Sequence, residues 1–128
     1  MRKLCIFTAF ALFATPSLAD GLYDRCINQS NTTNADYATC GAQWLQRADN
    51  KLNEVWKKVY RQTDGATKSD LLNEQRSWNK FKEDSCKFYA NGDWGREGQA
   101  INFPACRAAI IEARIKALQD YGKFFQGQ

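Results

Sequence analysis

Residues 44–60, WLQRADNKLNEVWKKVY, carry the clearest structural signal in the chain. Apolar side chains recur there every three or four positions, a spacing that places them on one side of an α-helix and leaves charged side chains on the other. We therefore predict a long amphipathic helix that starts near Tyr37, with Asn34 or Asp36 as its cap, and ends at the turn of residues 62–65. Its apolar stripe consists of Trp44, Leu45, Ala48, Leu52, Val55, Trp56, Val59 and Tyr60.

A second helix is predicted to open at Thr67, with Asp70 three residues later as its capping-box partner. Turn-forming residues at 91–98 end this segment. Its apolar stripe consists of Leu71, Trp78, Phe81, Ser85 and Phe88.

A third helix is predicted to begin near Asn102, with Pro104 in its first turn. No segment alternates for long enough with the period of two that is typical of a strand. Because short connections between long helices favour antiparallel neighbours, the sequence predicts an all-α fold, a small antiparallel three-helix bundle that follows an N-terminal segment. The stripe of the third helix consists of Cys106, Ile110, Ala113, Ala117, Leu118, Tyr121 and Phe124.

The first 19 residues have the organisation of a secretory signal peptide. Arg2 and Lys3 precede an apolar run at residues 4–13, which is too short to span a bilayer comfortably, and PSLA at residues 16–19 supplies a small-residue cleavage site. We favour this interpretation over an uncleaved anchor helix or a buried core helix, because the three parts follow in the right order. We predict cleavage after residue 19, a mature domain at residues 20–128, a periplasmic or secreted location in a bacterial envelope, and no stable membrane insertion after cleavage.

Composition and charge argue against several classes of function. The chain has no histidine, which excludes histidine-based acid–base catalysis and imidazole metal ligation. The carboxylates of Glu83 and Asp84 point in different directions on a helix, and the loop that carries Asp93 and Glu97 gives them no fixed separation, so neither pair suits glycoside hydrolysis. We expect no enzymatic activity and no cofactor. Loss of Arg2 and Lys3 with the signal peptide lowers the formal net charge from +4 to +2, so we expect no nucleic-acid partner.

Four cysteines remain after the predicted cleavage, which removes Cys5. An even number in a small exported domain indicates two disulfides rather than a four-thiolate metal site, and no pair has the C-x-x-C spacing of metal ligands. Three pairings are possible. In an antiparallel bundle all four lie at one end, most simply as Cys26–Cys40 and Cys86–Cys106.

Three segments of the chain resemble the LprI-like lysozyme-inhibitor family. Residues 75–86, QRSWNKFKEDSC, resemble its Q-R-x-W-x-x-[FY]-[RK]-x-x-x-C signature, and residues 48–53, ADNKLN, resemble its A-D-x-x-L-N element. Cys106 and the later Arg114 and Leu118 are similar to its C-terminal cysteine and R-x-x-x-L helix. The resemblance spans Cys26 to Tyr121 and implies a small exported helical protein, with lysozyme inhibition known for some relatives. Lys82 stands where arginine is frequent in the family, and Trp56 stands where tyrosine is expected.

The residues of these motifs are interpreted as architecture rather than as a binding site. Trp78 and Phe81 lie on the apolar stripe of the second helix, where core packing is the expected role. Four polar residues flank the stripes, where interhelical hydrogen bonds are expected because buried polar groups need partners. These are Asp49, Asn53, Gln75 and Lys82.

The loop of residues 92–103 is the candidate partner-binding segment. A disulfide between Cys86 and Cys106 would hold it partly preorganised, which lowers the cost of ordering it on binding. Trp94 lies off every helical stripe and would serve as an exposed anchor; the alternative is that Trp94 caps the end of the bundle core. The candidate binding residues are Asp93, Trp94, Arg96 and Glu97.

Two functions therefore compete. The first is an exported binding protein that inhibits lysozyme or another peptidoglycan hydrolase by steric occlusion. Animal-type lysozymes are commonly basic, so a local acidic cluster such as Asp93 with Glu97 would favour that target. The second is a non-enzymatic structural or interaction module of the envelope that has no lysozyme target.

Overall fold

A computed structural model describes residues 20–127, so the predicted signal peptide lies outside the described residues. Regular structure in this range is helical throughout, and it contains no strand. The prediction of an all-α fold is confirmed. The elements are α1 (Gly21–Asn28), α2 (Asn34–Tyr60), α3 (Gly65–Asp84), α4 (Lys87–Ala90), α5 (Gly95–Glu97), a π-helical turn (Gly98–Asn102) and α6 (Phe103–Gln126).

Helix α2 begins with a capping box. The Thr33 hydroxyl accepts a hydrogen bond from the Asp36 amide at 3.2 Å, and the Asp36 carboxylate accepts one from the Thr33 amide at 3.1 Å. The hydrogen bonds from the Thr33 side chain and backbone lower the pKa of the Asp36 carboxyl. The predicted cap was therefore wrong in position, because Thr33 caps the helix and Asp36 is its partner.

Helix α3 begins earlier and ends earlier than predicted. Gly65, expected to stop α2, is instead the first residue of α3, and Thr67 and Asp70 make no capping contact. At the other end, Cys86 has a φ of +67°, a left-handed conformation that a helix does not continue through. The Arg107 guanidinium caps this end by donating hydrogen bonds to the carbonyl oxygens of Glu83 and Ser85, both at 3.1 Å.

The three long helices run up, down and up, as predicted. Helices α2 and α6 are parallel, since Gly41 abuts Pro104 near their N-terminal ends and Val59 abuts Gly122 near their C-terminal ends. Helix α3 is antiparallel to both: the Lys82 ammonium lies 3.6 Å from the Asp49 carboxylate of α2, and residues 74 and 75 contact the middle of α6.

The core lies mainly between α2 and α6, and it corrects the predicted stripes. On α6 the fully buried positions include Ile111 and Leu118, whereas Ala113 and Phe124 are exposed. The described residues form a continuous cluster of Ala48, Leu52, Val55, Val59, Leu71, Ile111 and Leu118.

The inner face of α3 is more polar than predicted. It follows Leu71, Gln75, Trp78 and Lys82, which recur at helical spacing, and Gln75 is buried. Phe81 lies at the edge of this face and is 56% exposed, so its predicted place in the core was wrong.

Both disulfides have the pairing that the bundle geometry favours. Cys26–Cys40 joins α1 to α2, with 5.8 Å between the Cα atoms, and Cys86–Cys106 joins the end of α3 to the first turns of α6, with 6.0 Å. Because Cys40 precedes the Gly41–Pro104 contact, both bridges lie at one end of the bundle. We call this end the disulfide end.

A buried arginine fastens α3 to α6. Arg114 is only 6% exposed, and its Nε and Nη2 atoms donate to the Gln75 side-chain oxygen at 2.9 and 2.8 Å. Its Nη1 atom donates to the Glu74 carboxylate, which also accepts a hydrogen bond from the Tyr121 hydroxyl at 3.2 Å. The expected interhelical role of Gln75 is therefore confirmed.

The other flanking polar residues differ in their roles. Asp49 and Lys82 form an ion pair between α2 and α3, as expected. Asn53 is exposed and makes no side-chain hydrogen bond within the described part of the chain, so its expected interhelical bond was wrong.

The N-terminal segment forms a short helix that docks on α2. The Asp20 carboxylate caps α1 by accepting a hydrogen bond from the Leu22 amide at 2.8 Å, and it also pairs with Arg47 at 2.6 Å. The Tyr23 ring packs on Trp44 with 4.9 Å between centroids. Burial alone would raise the pKa of the Asp20 carboxyl, but the hydrogen bonds from Arg47 and Leu22 and the charge of Arg47 outweigh it, so the pKa is lowered.

We expect Arg114→Met to lower the free energy of unfolding by about 2–3 kcal/mol, because it keeps an apolar chain of similar length but leaves Gln75 and Glu74 without their donors. Urea unfolding followed by circular dichroism measures the loss. The control is Arg76→Ala on the exposed side of α3, which should change stability by less than about 0.5 kcal/mol. A similarly small loss for Arg114→Met would contradict the role given to this network.

We expect Asp20→Asn to lower the stability by up to about 1 kcal/mol at neutral pH, because asparagine still caps the helix but has no charge for Arg47. The folded-state pKa of Asp20 is lowered, so its contribution is fully present above the unfolded pKa of about 3.9 and is lost as the pH falls through the folded value. The difference between wild type and variant should therefore shrink below about pH 4. Urea unfolding at several pH values tests this, with the exposed Asp24→Asn as control; a difference that stays constant into strong acid would refute the pairing.

Candidate protein-binding surface

The segment between Cys86 and Cys106 folds as a series of short turns. After α4, the Asn91 side-chain oxygen accepts a hydrogen bond from the Asp93 amide at 2.9 Å. Gly92 and Gly95 take φ values of +105° and +61°, which side chains other than glycine rarely adopt. The predicted loop is thus interrupted by α5 and the π-helical turn, a class of turn that is frequent at functional sites.

The structure brings the four predicted binding residues onto one exposed stretch. Asp93, Trp94, Arg96 and Glu97 are all exposed. Trp94 is 59% exposed, and its ring meets the Tyr89 ring edge-on, with 6.0 Å between ring centroids. Its ring therefore lies on the surface rather than over the end of the bundle core.

Two phenylalanines that the sequence assigned to the core extend this exposed region. Phe88 is 54% exposed and packs against Tyr89 with 4.3 Å between centroids, so Phe88, Tyr89 and Trp94 form a row of rings. We call these three residues the aromatic surface. Phe81 is also exposed, in the last turn of α3. The helical spacing of Phe81 and Phe88 predicts that both side chains are buried. The helix ends before the left-handed residue Cys86, and the sequence there contains no glycine or proline that would indicate a helix end before Phe88.

The carboxylates around the aromatic surface divide into paired and unpaired groups. Asp84 pairs with Lys80 at 2.9 Å and with Lys87 at 3.1 Å, and the hydrogen bonds from these lysines lower the pKa of its carboxyl. Asp93 and Glu97 have no ion pair within residues 20–127. These two side chains supply unneutralised negative charge beside Trp94.

Close backbone packing holds Trp94 in place. Gly98 is buried in the π-helical turn, and a Cβ atom there would lie 2.5 Å from both the Trp94 Cβ and the Tyr89 carbonyl oxygen. Only glycine fits this contact without a shift of the backbone. Together with the Cys86–Cys106 bridge, it fixes the base of the tryptophan while its ring remains exposed.

The acidic residues at the end of α3, next to the aromatic surface, are held by basic side chains. Glu83 contacts Lys82 and Arg107, and Asp84 is held by lysines, so these adjacent carboxylates are engaged in ion pairs. Among residues 20–127, no group of three or more metal-ligating side chains could hold a metal ion. No helix in the same range is both long enough and apolar enough to cross a membrane.

A family model described as lysozyme inhibitor LprI matches residues 26–118, which include both disulfides, Arg114 with its partners Glu74 and Gln75, and the aromatic surface. No curated protein and no solved structure matches the chain significantly.

We expect Gly98→Ala to destabilise the protein by about 1–3 kcal/mol, because the new methyl group would overlap the Trp94 base and the Tyr89 carbonyl. Thermal and urea unfolding measure the change. Gly21→Ala is the matched control, since its Cβ would meet nothing closer than 3.9 Å and alanine favours a helix. Equal stability of Gly98→Ala and wild type would show that the contact is not tight.

Proposed function

The chain belongs to the lysozyme inhibitor LprI family, and from that membership we propose that it is an exported protein that inhibits lysozyme or another peptidoglycan hydrolase. Inhibition occurs by steric occlusion, with the aromatic surface as the contact. The observation that carries this proposal is the exposed Trp94 on a segment closed by a disulfide.

Trp94 has the properties of an interface anchor. A tryptophan side chain buries roughly 150–250 Å² when it is covered, and tryptophan is enriched among the residues that dominate binding energy. Phe88, which packs against Tyr89, extends the apolar part of the aromatic surface beyond Trp94. Because Gly98 and the disulfide already fix the backbone, little conformational entropy is lost on binding.

The charge around the anchor suits a basic target. Asp93 and Glu97 supply the rim with carboxylates that form no ion pair within residues 20–127, although Arg96 lies between them in sequence. Animal-type lysozymes are commonly basic, so these carboxylates would steer the encounter and fix the orientation. The local charge matters more here than the formal net charge of +2 expected for the mature chain.

Independent features support export and a non-enzymatic role. Two disulfides are typical of proteins that fold in an oxidising compartment, which agrees with the signal peptide predicted at residues 1–19. The family is one of inhibitors, which supports a non-enzymatic role.

We expect the purified protein to slow lysis of bacterial cell walls by at least one lysozyme class, and Trp94→Ala to raise the half-inhibitory concentration by about thirtyfold, the equivalent of a 2 kcal/mol anchor. Phe124→Ala is the matched control, because Phe124 is an exposed aromatic residue (66%) near the C-terminal end of α6, away from the disulfide end. It should leave inhibition unchanged.

Two outcomes would separate the parts of this proposal. Absence of protection at micromolar excess, across several lysozyme classes, would reject inhibition and favour an envelope interaction module without a lysozyme target. Full inhibition by a folded Trp94→Ala variant would leave the function standing but reject the aromatic surface as its site.

A further inference from the structure

The end of the molecule opposite the disulfides contains a groove that the proposed inhibition does not use. Arg47, Lys51 and Lys58 follow one another in a row along one side of α2, and Arg47 holds α1 on that side. Asp49 and Tyr60 lie in a different row of α2, which faces α3. Helix α1 covers the first row only near Arg47. Beyond that point α2 and α6 are left uncovered on this side, and a groove of about 590 Å³ opens between them. This volume lies within the range of roughly 300–1,000 Å³ that is usual for ligand sites.

The groove concentrates positive charge. Its walls carry Lys51, Lys58, Arg61 and Lys123, and Glu54 is the one acidic residue that lines it. Lys51 is neutralised by Glu54 at 3.0 Å, and Lys123 by Asp120 at 3.2 Å.

Among the cations that line the groove, Lys58 and Arg61 have no acidic partner within residues 20–127. They lie three residues apart on one side of α2. The Arg61 Nε atom donates to the Lys57 carbonyl oxygen at 3.0 Å, which leaves the other guanidinium nitrogens for a ligand. A negatively charged group between them would complete the charge balance of the groove.

The remaining polar groups are amides that can bind hydroxyl groups. Gln62, Gln119 and Gln126 line the groove, and the Gln62 side-chain oxygen is buried without a hydrogen-bond donor among the described residues. That oxygen is not accessible from the groove, so the exposed Gln119 and Gln126 are the amides that a ligand hydroxyl can reach. Val55, Val59 and the Cα of Gly122 supply an apolar floor.

We propose that this groove binds an acidic saccharide, with Lys58 and Arg61 holding its carboxylate or phosphate groups and the amides of Gln119 and Gln126 hydrogen-bonding to its hydroxyls. The combination of cations, amides and an apolar floor matches a sugar that bears negative charge. Among residues 20–127 no aromatic side chain lines the groove, so it offers no stacking platform for the bases of a nucleic acid. Its apolar part is recessed between two helices, unlike the exposed apolar face with which a helix binds a membrane surface.

The groove and the aromatic surface are far enough apart to be occupied together. Gly41, at the disulfide end, and Val59, at the groove, are separated by 18 residues of α2, or roughly 27 Å at 1.5 Å per residue. Saccharide binding is therefore independent of hydrolase inhibition, and Trp94→Ala should leave it unchanged.

The probe is the trisaccharide of galacturonic acid, titrated into the full-length mature protein by calorimetry and by amide NMR shifts. We expect saturable binding, with the largest shifts at residues 51–62 and 119–126. The double variant Lys58→Gln/Arg61→Gln should weaken binding at least about tenfold, since each substitution removes a charge-assisted hydrogen bond. Lys57→Gln removes an exposed cation from the same turn but outside the groove lining, and it should change the affinity by less than about twofold.

Lys57 and Lys58 also lie in the last turn of α2, where cations stabilise a helix through its dipole. Thermal unfolding separates the two roles, because both lysines should affect stability similarly whereas only Lys58 should affect binding. If the double variant does not fold, the single variants Lys58→Gln and Arg61→Gln replace it, and each should weaken binding severalfold.

Several results would overturn the proposal. If the neutral galactose trisaccharide binds as tightly as the acidic trisaccharide, the groove does not recognise charge. If inorganic phosphate binds as tightly as the acidic trisaccharide, the groove does not recognise the sugar. Stronger binding of a single-stranded oligonucleotide or of phosphatidylglycerol vesicles would assign the groove to a different ligand class. Shifts confined to residues outside the groove, or an unchanged affinity in the folded double variant, would also reject it.

Discussion

The parallel packing of α2 on α6 is the contact around which the other helices are arranged. Glycine permits a close approach at both ends, because a Cβ at Gly41 would lie 2.9 Å from Pro104 and one at Gly122 would lie 3.2 Å from Val59. Helix α3 attaches to one side of the pair through Arg114, and α1 attaches to the other side near the disulfide end. The groove lies where this arrangement leaves α2 and α6 uncovered, at the end of the pair opposite the disulfides.

Sequence reasoning succeeded where periodicity and packing agree. The long stripe of α2 and the two disulfides follow from helical spacing and from the antiparallel order of the helices. On α3 the stripe residues Leu71 and Trp78 could be predicted, as could the interhelical roles of Gln75 and Lys82. The spacing of apolar residues wrongly assigned the exposed Phe81 to the same face. Gln75 is tolerated there because Arg114 satisfies it, and that partner lies 39 residues away in the chain.

The candidate site shows the same division. Trp94 could be selected from sequence because it lies off every stripe, but its exposure depends on α5 and on the Gly98 contact, neither of which has a periodic signal. The exposure of Phe88 could not be predicted, because nothing in the sequence around Cys86 indicates the left-handed backbone at that residue. The basic groove was hidden for a related reason: Lys58 and Lys123 look like ordinary solvated residues until α2 and α6 are placed side by side.

The pairing of the cysteines bears on the order in which the bridges can form. Each bridge joins cysteines that are consecutive within residues 20–127, with separations of 14 and 20 residues, so each closes a short loop. In a chain that is translocated N-terminus first, the first bridge can form before the second pair of thiols has emerged. Vectorial oxidation by a thiol oxidase would then produce the native connectivity directly, and a disulfide isomerase would have no mispaired species to correct.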